Sequence, residues 1–272
     1  MSDPVLTHEV VVGNAEPRAW LYFLHGIFGA GRNWATVARR VTEARPGWGA
    51  VLVDLREHGG SRGFAAPHSL ASAASDLTRL EEAVDRPATA VLGHSFGGKV
   101  ALRWSLDATS LRQVWLIDST PQAGEPSGSA WRMLDVLRAL PDVFDSRADA
   151  VAALEASGFD TQVAQWMATN LERDGDELRW RFETAAIEAL LRDFFRTDLW
   201  NAVENPAPGA EVHVVKASQS SVLSGEPLDR MDRIASGTDR VHLHTLEGGH
   251  WVHADSPQDV IDLLVRLLPD DG

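Results

Sequence analysis

Short runs of β-branched and aliphatic residues alternate with longer amphipathic runs through most of this chain, and few architectures accept that alternation. Runs apolar at nearly every position suit strands buried on both faces, which occur where helices cover both sides of a mostly parallel sheet. Strands are predicted at residues 9–12, 20–25, 50–54, 88–93, 113–118, 211–216 and 241–246. Helical spacing fills the gaps. Trp34, Val37, Ala38 and Val41 follow Asn33, a good N-cap, and Leu70, Ala73, Ala74, Leu77, Leu80 and Val84 follow Ser69. Near the end, Ser256 caps, Pro257 takes the first helical position, and Val260, Ile261, Leu263, Leu264, Leu267 and Leu268 form a buried stripe that Pro269 stops.

The alternation fails once. Residues 121–208 carry only helical patterns, at 131–140, 148–156, 163–171 and 183–195, and read as an insertion. Trp131, Trp166, Trp180, Trp200, Phe144, Phe194 and Phe195 give it the means to roof an apolar pocket, or simply to pack onto the sheet.

Composition narrows the possible functions. At 272 residues the chain buries a core without covalent staples, and one domain with an insertion is the expectation. It has no cysteine, which excludes disulfides, zinc–thiolate sites, iron–sulfur clusters and a cysteine nucleophile. A formal charge of −14 opposes nucleic acid and anionic membrane surfaces as partners. No apolar run reaches the roughly 18 to 20 residues that span a bilayer. The start, Met1-Ser2-Asp3-Pro4, lacks the basic and apolar regions of a secretory leader, so a cytoplasmic monomer or homodimer is expected.

Gly93-His94-Ser95-Phe96-Gly97 lies between a predicted strand and a helical run, the context in which G-x-S-x-G lifts a serine hydroxyl above a sheet edge. An oxyanion forming beside Ser95 would meet the Phe96 amide at the positive end of that helix. Another turn, His25-Gly26-Ile27-Phe28-Gly29, ends the strand at 20–25 and offers the Ile27 amide as a second donor. The sequence from Gly93 to Lys99 is also one residue short of a phosphate-binding loop, but Val100 stands where that loop needs a hydroxyl to hold magnesium. A base is available in Gly248-Gly249-His250-Trp251-Val252-His253, with His250 favoured and His253 its rival. His242 and His244 face the same way on a strand. No carboxylate joins these histidines at metal-ligand spacing, so no metal and no cofactor are expected.

Taken together these residues resemble the α/β-hydrolase superfamily along nearly the whole chain. Asp54-Leu55-Arg56-Glu57-His58-Gly59-Gly60-Ser61 is similar to its D-x-R-x-H-G-x-S turn. Gly93 to Lys99, Asp118-Ser119-Thr120-Pro121, Thr169-Asn170-Leu171 and Gly249 to Asp255 resemble small bacterial serine carboxylesterases, a branch that includes a mitochondrial abhydrolase. The resemblance implies an α/β-hydrolase fold, a mostly parallel doubly wound sheet whose helical cap, 121–208, enters after the family's strand 6, with 1–120 and 209–272 as the core. It implies Ser95 as nucleophile, His250 as base, the Ile27 and Phe96 amides as oxyanion hole, and a small-molecule ester of short to medium acyl length, or a thioester, as substrate. The stretch from Val214 to Ser221, where the family usually keeps its acid, holds no carboxylate, and none follows until Glu226. Asp118 is the implied substitute; its other reading is a cap at the start of the insertion. Carbon–carbon bond hydrolysis, perhydrolysis and ligand binding with little turnover share the same scaffold.

Overall fold

The computed structural model describes residues 4–270; the Met1–Asp3 part of the start read above lies outside them. In chain order the elements are β1 (His8–Val12), β2 (Ala19–Leu24), α1 (Ala35–Ala44), β3 (Trp48–Val53), α2 (Leu70–Val84), β4 (Ala88–His94), α3 (Phe96–Trp104) and β5 (Gln113–Ile117). There follow α4 (Gly128–Ala139), β6 (Val143–Phe144), α5 (Arg147–Ala156), α6 (Thr161–Ala168), β7 (Leu171–Asp174), β8 (Glu177–Trp180), α7 (Thr184–Arg196) and α8 (Trp200–Glu204). The chain closes with β9 (Glu211–Ala217), α9 (Glu226–Gly237), β10 (Val241–Leu246), α10 (Val252–Asp255) and α11 (Pro257–Leu267).

All seven predicted strands pair in one sheet of order β1-β3-β2-β4-β5-β9-β10, antiparallel only at β1. Alternate residues divide two cores, as strands buried on both faces require. Tyr22, Leu24, Val51, Val53, Val114 and Leu116 pack with α2, α3 and the insertion, while Leu21, Phe23, Ala50, Leu52, Trp115 and Ile117 pack with α1 and α11. The chain leaves β2 toward β3 and leaves β4 toward β5, on opposite sides. The turns after β2 and β4 therefore flank a topological switch point, where open α/β sheets bind ligands.

Local signals resolve in detail. The Ser69 hydroxyl accepts the Ser72 amide at 3.1 Å and caps α2 as expected. Asn33 does not cap α1: it lies in a 3-10 turn, Gly31–Trp34, where its Oδ1 accepts the Ala30 amide at 2.7 Å. Ser256 precedes α11, yet its hydroxyl makes no capping bond.

Between β5 and β9 the chain is not purely helical. A three-stranded antiparallel sheet, β6-β8-β7, buries Phe144, Leu171 and Leu178 against Ala150 and Ala168. Its strands are two to four residues long, too short for a period of two to stand out. The legible signal was Asp174-Gly175-Asp176: Asp174 pairs with Glu177, so Gly175 (φ 63°) and Asp176 form a two-residue hairpin loop.

Lys99 fastens this region to the sheet. Its side chain is fully buried, and Nζ donates to the carbonyls of Gln122 at 2.8 Å and Phe194 at 2.7 Å. Asp193 of α7 accepts the Leu70 amide at the start of α2, and the Leu199 amide reaches the Pro121 carbonyl. Removing the Lys99 ammonium strands two buried acceptors, each costing about 1–3 kcal/mol. Lys99→Met is therefore expected to lower the unfolding free energy by about 2–6 kcal/mol and to expose residues 121–208 to limited proteolysis. An unchanged urea midpoint would contradict the clamp.

Candidate active site

The parallel strands end at one edge, and the backbone there departs from ordinary geometry. Ser95 sits between β4 and α3 at φ 51° and ψ −114°, a region that L-residues rarely adopt and that costs of order 1–3 kcal/mol. The surroundings enforce it. A Cβ on Gly93 would overlap the Gly97 carbonyl, and one on Gly97 would overlap the carbonyls of His25 and Leu24. The Ser95 amide donates to the Ile117 carbonyl at 3.0 Å, and the Ser95 carbonyl accepts the Ser119 hydroxyl at 2.7 Å. The side chain is left to face the cavity edge.

Beside it runs the turn after β2. The Gly29 amide closes onto the Gly26 carbonyl at 3.0 Å, with Phe28 in left-handed backbone at φ 61°. Among the described residues neither the Ile27 amide nor the Phe96 amide donates to a protein acceptor. The Phe96 side chain is buried against Phe194 and His58, so only its backbone belongs to the edge. His25 steadies the turn: its Nδ1 donates to the Gly26 carbonyl at 2.7 Å, and its Nε2 accepts the Leu55 amide at 2.9 Å.

His250 reaches this edge from the loop after β10. Its Nδ1 lies 2.6 Å from Oδ2 of Asp118, the first residue beyond β5. Asp118 is fully buried, sits at φ 42°, and accepts the Ala217 amide on Oδ1 at 3.1 Å. A carboxylate only accepts, so the His250 proton rides on Nδ1 and the lone pair is left on Nε2. His253, the rival, lines the same cavity but is held differently. It stacks on Trp34 at 4.5 Å and is half-buried beside His94, whose Nε2 donates to the His250 carbonyl at 2.8 Å. Gln219 donates to the Gly248 carbonyl, so the carboxylate-free stretch after β9 supports the histidine loop from below.

Ser95, His250, Ile27 and Phe28 line one cavity of about 830 Å³ with Met133, Phe159, Val163 and Trp166 of the insertion. Of the seven aromatics singled out in the insertion, Trp166 alone lines this cavity, touching Trp251 with ring centroids 5.0 Å apart. The others pack: Trp131 on Phe195, Phe144 on Trp180, and Trp200 into the core. Asn170 was legible only as part of a motif. Its Nδ2 crosses from the insertion to the Phe28 carbonyl at 2.8 Å, which fixes the turn that carries Ile27. The Asp54–Ser61 motif proves to be scaffold: Asp54 accepts the Gly31 and Gly60 amides, and Arg56 pairs with Asp76 at 2.6 Å in the interior. Lys99, with its ammonium committed to two carbonyls, faces away from any phosphate-loop role.

A family model described as the alpha/beta hydrolase family matches residues 21–263. The chain is similar to the sn-1-specific diacylglycerol lipase ABHD11 of Danio rerio, 26% identical over 274 residues, covering 97% of this chain and 82% of the relative. Its Xenopus tropicalis counterpart is 25% identical over 273 residues, with the same coverage. Among solved structures, one described as a marine microorganism esterase superposes with a TM-score of 0.83 at 22% identity, covering 97% of this chain and 99% of that one, a likeness of fold.

Burial holds the histidines beneath the site neutral. It pushes the pKa of His25 to about 4, of His58 to about 3 and of His253 to about 4, and that of His94 well below its usual value. Unfolded, each binds a proton near pH 6.5; folded, none does until a much lower pH. The unfolded state thus carries more protons between about pH 6.5 and 4, and stability falls as the pH drops through that window, by up to about 1.4 kcal/mol per pH unit for each fully enclosed ring. Urea midpoints at pH 7.5, 6 and 5 should decline progressively, and a constant midpoint would contradict neutral burial.

Proposed function

The chain belongs to the alpha/beta hydrolase family, and from that premise we propose that it is a serine hydrolase acting on carboxylic esters of short to medium acyl length, with thioesters as a chemical extension. One observation carries the reading: a buried carboxylate lies 2.6 Å from His250 Nδ1, while His250 and the strained Ser95 face the same cavity. A serine hydroxyl is a weak nucleophile until a neighbouring base takes its proton, and an imidazole does so only when its other nitrogen is protonated.

On this reading Ser95 Oγ attacks the ester carbonyl as His250 Nε2 takes its proton. The oxyanion of the tetrahedral intermediate accepts hydrogen bonds from the Ile27 and Phe96 amides, each worth roughly 3–4 kcal/mol at the transition state. Collapse breaks the bond to the alcohol, which leaves with the proton from His250. Water, deprotonated by His250 in turn, attacks the acyl-enzyme and releases the acid and free Ser95. Asp118 stays ionised throughout and stabilises the imidazolium. Every step uses groups of the chain and water.

Residues 121–208 act as a cap over a core formed by 1–120 and 209–272, with Met133, Phe159, Val163 and Trp166 giving the acyl chain an apolar bed. The diacylglycerol lipases among the relatives make a glyceride ester a natural member of the substrate panel. An acid on the residue after β5 replaces the more usual place after β9, because strand pairing sets Asp118 beside the Ala217 amide.

The test is hydrolysis of p-nitrophenyl esters of increasing acyl length, with a diacylglycerol alongside. Ser95→Ala is expected to lower kcat by at least roughly 10⁴-fold with little change in KM. Asp118→Asn should lose a comparable factor, since the amide favours the wrong imidazole tautomer. A folded Ser95→Ala enzyme with normal turnover would overturn the reading; near-normal turnover in Asp118→Asn would overturn only the assignment of the acid.

A further inference from the structure

At the opposite end of β9 from Asp118, strand pairing gathers side chains that the sequence keeps apart. Glu211 and His213 lie two residues apart on β9 and so share a face. His213 stands opposite His242 of parallel β10 and opposite Trp115 of β5. Along the sequence no carboxylate joins His242 and His244 at ligand spacing; across the sheet, Glu211 of β9 reaches His242. Its Oε2 is 3.3 Å from His213 Nε2 and 3.2 Å from His242 Nε2.

These separations have a chemical meaning. Imidazole nitrogens and carboxylate oxygens bind zinc at about 2.0–2.2 Å, and tetrahedral angles then set neighbouring donor atoms about 3.3 Å apart. Two of the three edges of such a triangle are already present, and the three donor atoms all fall within 4.8 Å of one another. Rotation of His242, whose side chain is 34% exposed and whose ring stacks on that of His213 with centroids 4.6 Å apart, would close the remaining edge.

His213 is the group that asks for a ligand. Its ring is enclosed, stacked on Trp115 at 4.0 Å and 9°, and cannot turn away. Its Nδ1 lies 3.2 Å from His244 Nε2, which gives Nδ1 a hydrogen-bond partner and leaves Nε2 aimed at Glu211. Nε2 is buried and makes no hydrogen bond. An outer-shell partner that fixes the tautomer of a metal-binding histidine is the arrangement zinc sites use.

The geometry points to a zinc-type divalent cation site formed by Glu211, His213 and His242, with a fourth position open to water and His244 as the outer-shell partner of His213. It would fasten β9 to the edge strand β10 by side chains where the sheet has no further neighbour. Six residues of strand, about 20 Å, separate it from the Ala217 amide that holds Asp118. The site is therefore structural, and it stands whether or not Ser95 is a nucleophile.

Cobalt(II) is the spectroscopic probe and zinc(II) the competitor, added to chelator-treated full-length protein. One equivalent of cobalt is expected to give the intense visible absorption of a four-coordinate ion and to be displaced by zinc, and zinc should raise Tm because it binds the folded state. Glu211→Gln and His242→Gln, both at partly exposed positions, should each weaken binding by more than the roughly 10- to 100-fold expected for His244→Asn, which removes only the outer-shell partner. Folded wild-type protein that takes up no cobalt, or a Glu211→Gln/His242→Gln double variant that binds it as tightly as wild type, would overturn the site.

Discussion

A serine held in left-handed backbone between a buried strand and a buried helix leaves no room for Cβ atoms around it, and much of this molecule is arranged about that requirement. Gly93 and Gly97 permit the turn; the Gly97 backbone in turn passes against the carbonyls of Leu24 and His25, so β2 and β4 end at a fixed separation. That contact brings the Ile27 and Phe96 amides to one edge. Strain of this kind persists only where the surroundings over-determine it, and here two packed cores, one on each face of the sheet, do so.

The second dependence is between sheet and insertion. Lys99, two residues beyond the elbow motif, reaches away from the cavity and is consumed in binding Gln122 at the start of the insertion and Phe194 of α7. Asn170 works in the opposite sense and uses the insertion to hold the Phe28 carbonyl. Core and roof therefore position each other's polar groups, and a buried ammonium is tolerated because two carbonyls and the Phe194 ring surround it.

Much of this was legible along the chain. The buried strands read correctly because parallel strands covered on both faces are apolar at nearly every position, and the G-x-S-x-G pentapeptide marked the turn from β4 into α3 because that signal is local. The hairpin β7–β8 escaped because strands of four residues in a partly exposed satellite sheet carry too little alternation. Asn33 looked like a helix cap because capping and turn-closing use the same short amide; only the path of the backbone after β2 decides which.

By itself the sequence determined the layered α/β architecture, the serine at the strand-to-helix elbow, the histidine loop and the place of the insertion, since each is written in residues close together in the chain. Tertiary structure decided that Asp118 is the carboxylate that meets His250, what Lys99 holds, and that Glu211 converges on His213 and His242. Asp118 and His250 lie 132 residues apart. Their meeting depends on β9 entering the sheet beside β5, an order of strands that hydrophobic periodicity does not encode.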